Sequence, residues 1–250
     1  MKTIATDLDG TLFKGETLID GVRESILEIR SNDIEIYFTT NNSSQSPLEI
    51  RDKLVSLLDL EIDVDKIITP LIVFKNVISQ QINNIYIYGT EGLKNYIESL
   101  NIKIVDIDLS DVVLIGRKDI NNDQEIKDII SHVQDGKKIY CLNKDLTYPT
   151  EFGEQPGNGA VVKIIEDELS INIESLGKSG KLYPSYFKKN GISINYVIGD
   201  RVDTDIIFGK SLNAISFLVA SGVNNFLDTD MADHQLHDFS DVIPLIIKNS

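Results

Sequence analysis

The chain has 250 residues, 42% of them hydrophobic and 25% charged, so it can bury a substantial core as one large domain or as a core carrying an inserted one. A formal charge of −15 opposes contact with nucleic acid or anionic lipid, which is made through clustered Lys and Arg. There is no basic start followed by an apolar run at Met1 to Thr11, and no later stretch approaches the ~18 uninterrupted apolar residues of a membrane span, so a cytoplasmic protein is expected.

Short β-branched runs alternate with longer segments of helical period, which predicts an α/β fold built on a mainly parallel sheet. The first strand, Thr3 to Asp7, runs into Asp7-Leu8-Asp9-Gly10-Thr11-Leu12. Two carboxylates then lie at the carboxyl end of a buried strand, where open α/β sheets bind ligands. Burying such charges is costly unless a cation or a reacting proton compensates them, although aspartates in turns also cap loose amides. Gly10 lets backbone amides come close to a bound phosphate.

The second strand, Ile34 to Thr40, ends in Thr39-Thr40-Asn41-Asn42, a polar cluster that can donate to an anion or simply form a turn. Ser46-Pro47-Leu48-Glu49 reads as a capping box that opens a helix with apolar Ile50, Leu54, Leu57 and Leu58, and Thr69-Pro70 repeats that start. Strands are expected at Ile85 to Tyr88, Val112 to Ile115 and Lys138 to Leu142, the last holding Cys141, the single cysteine, as a buried structural thiol. Asn158 is placed to cap a helix with Val161, Val162, Ile164, Ile165 and Leu169 on its core side, leaving Glu166, Asp167 and Glu168 as a solvated face.

Gly177-Lys178-Ser179-Gly180 offers a lysine in a flexible glycine-flanked loop, with Lys181 as a nearby competitor, before a helix from about Tyr183 to Lys189. The strand Asn195 to Gly199 ends in Asp200-Arg201-Val202-Asp203-Thr204-Asp205, and a last strand spans Ala214 to Ala220. The three acids of that strand end are hard oxygen ligands of the type Mg²⁺ takes beside water and phosphate, and a helix start would use only one of them. His234 and His237 lack a third partner for a metal site and read as surface residues.

Taken in order, the Asp-x-Asp-Gly-Thr-Leu start, the threonine after the second strand, the lysine and the final Gly-Asp with an acid five residues on resemble the four motifs of the haloacid dehalogenase superfamily. Thr39 to Ser44, Tyr88 to Leu93, Pro149-Thr150-Glu151 with Pro156 to Ala160, and Gly199 to Ile206 are similar to its NagD-like, 4-nitrophenylphosphatase-like and phosphoglycolate phosphatase-like branch. That resemblance implies a Rossmann-like core formed by residues 1–79 and 178–250, with an inserted α/β cap at 80–177 closing over the site. It implies an Mg²⁺-dependent phosphatase acting on a small phosphorylated metabolite through an aspartyl-phosphate. Asp7 would be the nucleophile and Asp9 the general acid and base, while Thr40, Asn41 and Lys178 would hold the phosphoryl group. Asp7, the backbone carbonyl of Asp9 and Asp200 would bind the metal, with Asp205, and Asp203 beside it, acting from outside the ligand shell.

Two segments depart from the branch. Gly177-Lys178-Ser179 replaces the usual Gly-Lys-Pro, and Gly116-Arg117-Lys118-Asp119 replaces Gly-Leu-Asp-Arg. Arg117 and Lys118 can meet a second anionic group of a substrate or form an exposed turn. A phosphomutase would use the same covalent intermediate. A non-catalytic phospho-receiver would carry its phosphorylated aspartate on a later central strand of a much shorter chain. Exposed cap faces are compatible with a homodimer.

Overall fold

The computed structural model describes residues 2–118, 123–150, 153–222 and 230–248. Asp119 and Glu151, both named in the motif comparison above, lie outside the described residues. The chain divides into two compact units, one of Met1–Thr40, Pro47–Ile68 and Phe187–Ser250, the other of Asn41–Ser46 and Thr69–Tyr186. The second unit thus takes in 41–46, 69–79 and 178–186 together with the segment in between.

The first unit is built on a six-stranded sheet in the order His234–Leu236, Ile215–Val219, Tyr196–Gly199, Thr3–Thr6, Glu35–Thr39, Ile67–Ile68. Every neighbouring pair in it is parallel. From Thr3–Thr6 the chain proceeds to one side through Glu35–Thr39 and Ile67–Ile68, and the later strands fill the other side. The order therefore reverses between Thr3–Thr6 and Tyr196–Gly199, and such a switch point opens a crevice at the carboxyl ends of the two strands. Thr6 is opposite Ile198, so Asp7 and Asp200 leave adjacent strand ends almost level with one another.

Both strands are buried along their whole length, the condition that makes a parallel strand read as a continuous apolar or β-branched run. Helices cover the sheet through apolar stripes. Val22, Ile26 and Ile29 are the buried side of Val22–Ser31, and Phe239, Val242, Ile243 and Ile246 that of Phe239–Lys248, the spacing of a single helical face. Both sets belong to one core cluster with Ile4, Phe38, Ile198 and Phe217. The Phe187 ring lies between Tyr37 and Phe208, at centroid separations of 6.0 and 5.4 Å.

The second unit holds a five-stranded sheet, Glu174–Ser175, Lys138–Cys141, Val112–Ile115, Asn84–Tyr88, Lys103–Ile104, again parallel throughout. A separate antiparallel pair, Thr147–Thr150 with Gly153–Pro156, follows Lys138–Cys141 in the chain. Its core gathers Tyr88, Val113, Ile115, Ile129, Val162 and Ile165 around Cys141.

All seven strands expected from the sequence are present, and the helices after Ser46 and Thr69 begin at Pro47 and Pro70. The Thr69 hydroxyl accepts from the amides of Leu71 and Ile72, the capping bond its position implied. Three expectations need correction. Ile164, expected on the core side of Asn158–Leu169, is exposed. Asn158 does not cap Asn158–Leu169: Gly157 is the cap residue, and the Asn158 side chain donates instead to the carbonyls of Ile115 and Asn143. Glu166 is not part of a solvated face, because it accepts from the Lys144 ammonium at 2.6 Å and from the Ile173 amide at 2.7 Å, while Asp167 and Glu168 are exposed as expected. Among the described residues no helix is long and apolar enough to cross a membrane.

Truncating Phe187 removes the ring packed between Tyr37 and Phe208 and leaves a cavity there. Phe187→Ala is expected to lower the unfolding free energy by roughly 3–5 kcal/mol, read as a lower urea midpoint by circular dichroism.

Candidate functional site

Asp7 continues the central ladder by one bond, its amide donating to the Ile198 carbonyl at 2.8 Å, so its position is set by the sheet. Beyond it the chain turns sharply, with the Leu12 amide closing on the Leu8 carbonyl and Gly10 at φ +87°. The turn leaves Asp7 buried, 9% exposed, and Asp9 exposed, so the two acids of Asp-x-Asp meet different surroundings. The Thr11 hydroxyl lies 3.4 Å from Oδ2 of Asp7.

On the neighbouring strand end, Asp200 is 1% exposed. After it the chain enters a π-helical turn, Val202–Ile206, that runs on into the helix Ile207–Ser211. Turns of that kind recur at functional sites because the extra residue redirects side chains. Here the turn brings Asp205, also 1% exposed, back over Gly199, with the Arg201 amide donating to its Oδ2 at 3.1 Å. Oxygen atoms of Asp7, Asp200 and Asp205 lie within 4.8 Å of one another.

Three glycines make this convergence sterically feasible. A methyl group at Gly199 would overlap the Asp205 carboxylate, and one at Gly222 would overlap that of Asp200. At Gly10 it would stand 2.6 Å from Oδ2 of Asp200, so the glycine expected to admit a phosphate is needed first of all to admit a carboxylate. Ser221 fastens the loop that carries Gly222, its hydroxyl donating to the Gly10 carbonyl at 2.8 Å. Neither Ser221 nor Gly222 was foreseen, since Ser221 meets Gly10 from 211 positions away, Gly222 meets Asp200 across a strand, and no local pattern marks them.

Three buried carboxylates at this spacing repel each other by about 3 kcal/mol per pair if all are ionised, taking an effective dielectric of ~20. A cation removes that penalty, and hard carboxylate oxygens in a compact buried set suit Mg²⁺. Asp203 is not in the set: its carboxylate takes two bonds from the Arg201 guanidinium, at 3.1 and 2.8 Å, on the exposed side of the turn.

The remaining candidates are distributed as follows. Thr40 is buried in the first unit, its amide donating to the Ile68 carbonyl at 3.1 Å, while the preceding Thr39 hydroxyl donates to the Thr6 carbonyl at 3.0 Å. Asn41 and Lys178 belong to the second unit. Lys178 is 2% exposed and Lys181 is exposed, which separates two lysines that the sequence left in competition. The loop around Lys178 is closely packed, against the expectation of flexibility: a methyl group at Gly177 would stand 2.8 Å from Oδ1 of Asn41, and one at Gly180 would overlap the Ser175 carbonyl.

Arg117 and Lys118 do not form an exposed turn. Both are half-buried, and the Lys118 ammonium pairs with Glu125 and lies 4.8 Å above the Tyr88 ring. Cys141 is buried as expected, and loss of hydration on burial pushes its thiol up to about 12, far from the range of a reactive thiolate. His234 and His237 are exposed, the first stacked on Phe217 and the second beside Asp238.

The haloacid dehalogenase-like hydrolase family matches residues 4–103, and a second family described as HAD-hydrolase-like matches residues 182–242, so the matches take in both acidic strand ends. The chain belongs to the haloacid dehalogenase superfamily of hydrolases. It is 29% identical over 230 residues to an acid sugar phosphatase of Staphylococcus epidermidis, spanning 89% of this chain and 87% of that protein. A single mutant of a thermostable NPPase from Geobacillus stearothermophilus superposes with a TM-score of 0.84 at 29% identity, over 96% of each chain. A glycerol phosphate phosphatase from Mycobacterium tuberculosis, solved in complex with magnesium, superposes with a TM-score of 0.80 at 26% identity, over 95% of this chain and 76% of that one.

If the acids gather around a cation, its affinity depends on the packing that holds them. Asp205→Asn and Gly222→Ala are each expected to weaken Mg²⁺ binding by roughly 10- to 100-fold, measured by isothermal titration calorimetry on folded protein. Unchanged affinity in both variants would place the cation elsewhere.

Proposed function

We infer that the chain is an Mg²⁺-dependent phosphatase hydrolysing small phosphomonoesters through an aspartyl-phosphate. The observation that carries this reading is the convergence of Asp7, Asp200 and Asp205 at the switch point of a parallel sheet, with Asp9 exposed two residues beyond Asp7. Family membership and the phosphatases among its relatives support it.

In the first half-reaction a carboxylate oxygen of Asp7 forms a bond to phosphorus as the ester P–O bond breaks. Asp9, protonated beforehand, gives its proton to the departing alkoxide. In the second, Asp9 takes a proton from a water molecule that attacks the same phosphorus. The P–O bond to Asp7 then breaks, and inorganic phosphate and the free carboxylate are released.

The roles suit the surroundings of the two acids. A nucleophile needs a fixed direction of attack, and Asp7 is held by the ladder and covered by the turn. A group that alternates between acid and base must reach both the leaving group and water, and Asp9 is exposed. When bound, Mg²⁺ offsets the repulsion between an attacking carboxylate and a phosphate dianion, and Asp7, Asp200 and Asp205 are the residues to hold or orient it. The Thr40 hydroxyl, Asn41 and the Lys178 ammonium take the charge of the transferring phosphoryl group. Residues 80–177 act as the cap that selects the organic part of the substrate, a small metabolite. The setting is cytoplasmic, and exposed cap faces suit a homodimer.

A panel of sugar phosphates, nucleoside monophosphates, glycerol phosphate and 4-nitrophenyl phosphate, assayed for released phosphate, tests the reading. Activity is expected to require Mg²⁺ and to vanish with EDTA. Asp7→Asn should abolish turnover, and Asp9→Asn should lower kcat by on the order of 10²- to 10⁴-fold. Return of the phosphoryl group to a second position of the substrate, without free phosphate, would identify a mutase instead.

A further inference from the structure

The Asn41 carboxamide is engaged on both sides. Its Nδ2 donates to the Asp145 carboxylate, at 3.0 Å to Oδ1 and 3.3 Å to Oδ2, and its Oδ1 accepts the backbone N–H of Lys178 at 2.8 Å. A carboxamide has one donating and one accepting end, and its orientation follows from its partners. A carboxylate can only accept and a backbone N–H can only donate, so Asp145 and Lys178 together admit a single orientation. Reversing the group would set Oδ1 against a carboxylate and an NH₂ against an N–H.

Asp145 is itself firmly placed. Its amide donates to Oδ1 of Asn143 at 3.3 Å, and its carbonyl accepts from the Gly159 amide at 2.9 Å. The Asn143 Nδ2 donates to the Asn41 carbonyl at 2.9 Å, and the Asn158 Nδ2 donates to the Asn143 carbonyl at 2.8 Å. Methyl groups at Gly157 and Gly159 would overlap the carbonyls of Asp145 and Lys144, so the glycines around Asn158 let the helix start come directly against this loop. A surface aspartate needs no such support.

We propose that Asp145 is a positioning residue: by holding the Asn41 carboxamide in one orientation, it fixes the backbone of Lys178 and thereby the origin of the Lys178 ammonium. The consequence for turnover rests on the phosphatase reading and on Lys178 as the phosphoryl-binding lysine. The positioning itself does not. Displacing a binding group by about 1 Å is enough to lower a rate by on the order of 10²-fold, so Asp145 affects kcat without touching the substrate.

The test uses the full chain with Asp145→Asn and the reciprocal double variant Asn41→Asp, Asp145→Asn. Asp145→Asn keeps the shape of the side chain while removing the acceptor pair. The double variant restores both bonds, since a carboxylate at position 41 accepts from the new amide and from the Lys178 N–H alike. Hydrogen exchange at the Lys178 backbone amide, followed by NMR without substrate or Mg²⁺, is expected to become several-fold faster in the single variant and to return to the parent rate in the double. Turnover should fall in Asp145→Asn, kcat by about 10- to 100-fold with KM changed less. Parent-like exchange at Lys178 in Asp145→Asn would overturn the proposal. So would a double variant whose Lys178 amide stays unprotected, because the bonds through position 41 would then not be what fixes it. If the parent released no phosphate from any substrate, the phosphatase reading would fail, and the exchange measurement would still decide whether Asp145 positions Lys178.

Discussion

Electrostatic repulsion among buried carboxylates is the constraint on which the site depends. Asp7 and Asp200 emerge from adjacent strand ends because the sheet reverses its order there, and Asp205 is folded back onto them by a π-helical turn. None of the three is exposed enough for bulk water to screen it. Such a cluster persists only if its charge is answered, and a divalent cation answers it most compactly. The acidity that makes the metal necessary also makes an anionic substrate hard to approach, so the same cation serves both purposes.

Steric permission is the second requirement, and it comes from glycine. Gly10, Gly199 and Gly222 stand where any side chain would occupy the space of a carboxylate. Gly157, Gly159 and Gly177 do the same in the second unit, where backbone meets backbone or the Asn41 amide. In both units the polar groups are placed by loops pressed together at strand ends, with the sheets beneath as rigid supports. The Asn41 carboxamide shows how strict such placement becomes: with a carboxylate on one side and an N–H on the other, its orientation has no alternative of similar energy.

The sheets were legible wherever strands were long and buried. The seven expected strands carry enough consecutive β-branched or aromatic residues to stand out, whereas Ile67–Ile68, Lys103–Ile104, Glu174–Ser175 and His234–Leu236 are edge strands of two or three residues. At that length there is no period to read, and pairing comes from the neighbour already in place. Misjudged side chains have a common cause too. Asn158 and Glu166 were assigned by local rules, capping and amphipathicity, yet each makes hydrogen bonds to residues outside its own helix, Asn158 to Ile115 and Asn143 and Glu166 to Lys144. Asp145 could have been suspected from Asn143-Lys144-Asp145, polar residues just after the strand Lys138–Cys141, the kind of strand end that singled out Thr39 to Asn42.

By itself the sequence determined the fold class, the strand ends that carry acids, and the order of motifs that leads to the haloacid dehalogenase superfamily. These are local properties, set by the residue types within a few positions of each other, and they survive without knowledge of what packs where. Only the tertiary structure decided that Asp205 and not Asp203 joins Asp7 and Asp200, that Lys178 and not Lys181 is buried, and that the Asn41 amide is shared by Asp145 and Lys178. The first two are choices between chemically equivalent neighbours, and in all three what decides is direction and burial, quantities that exist only once distant segments have met.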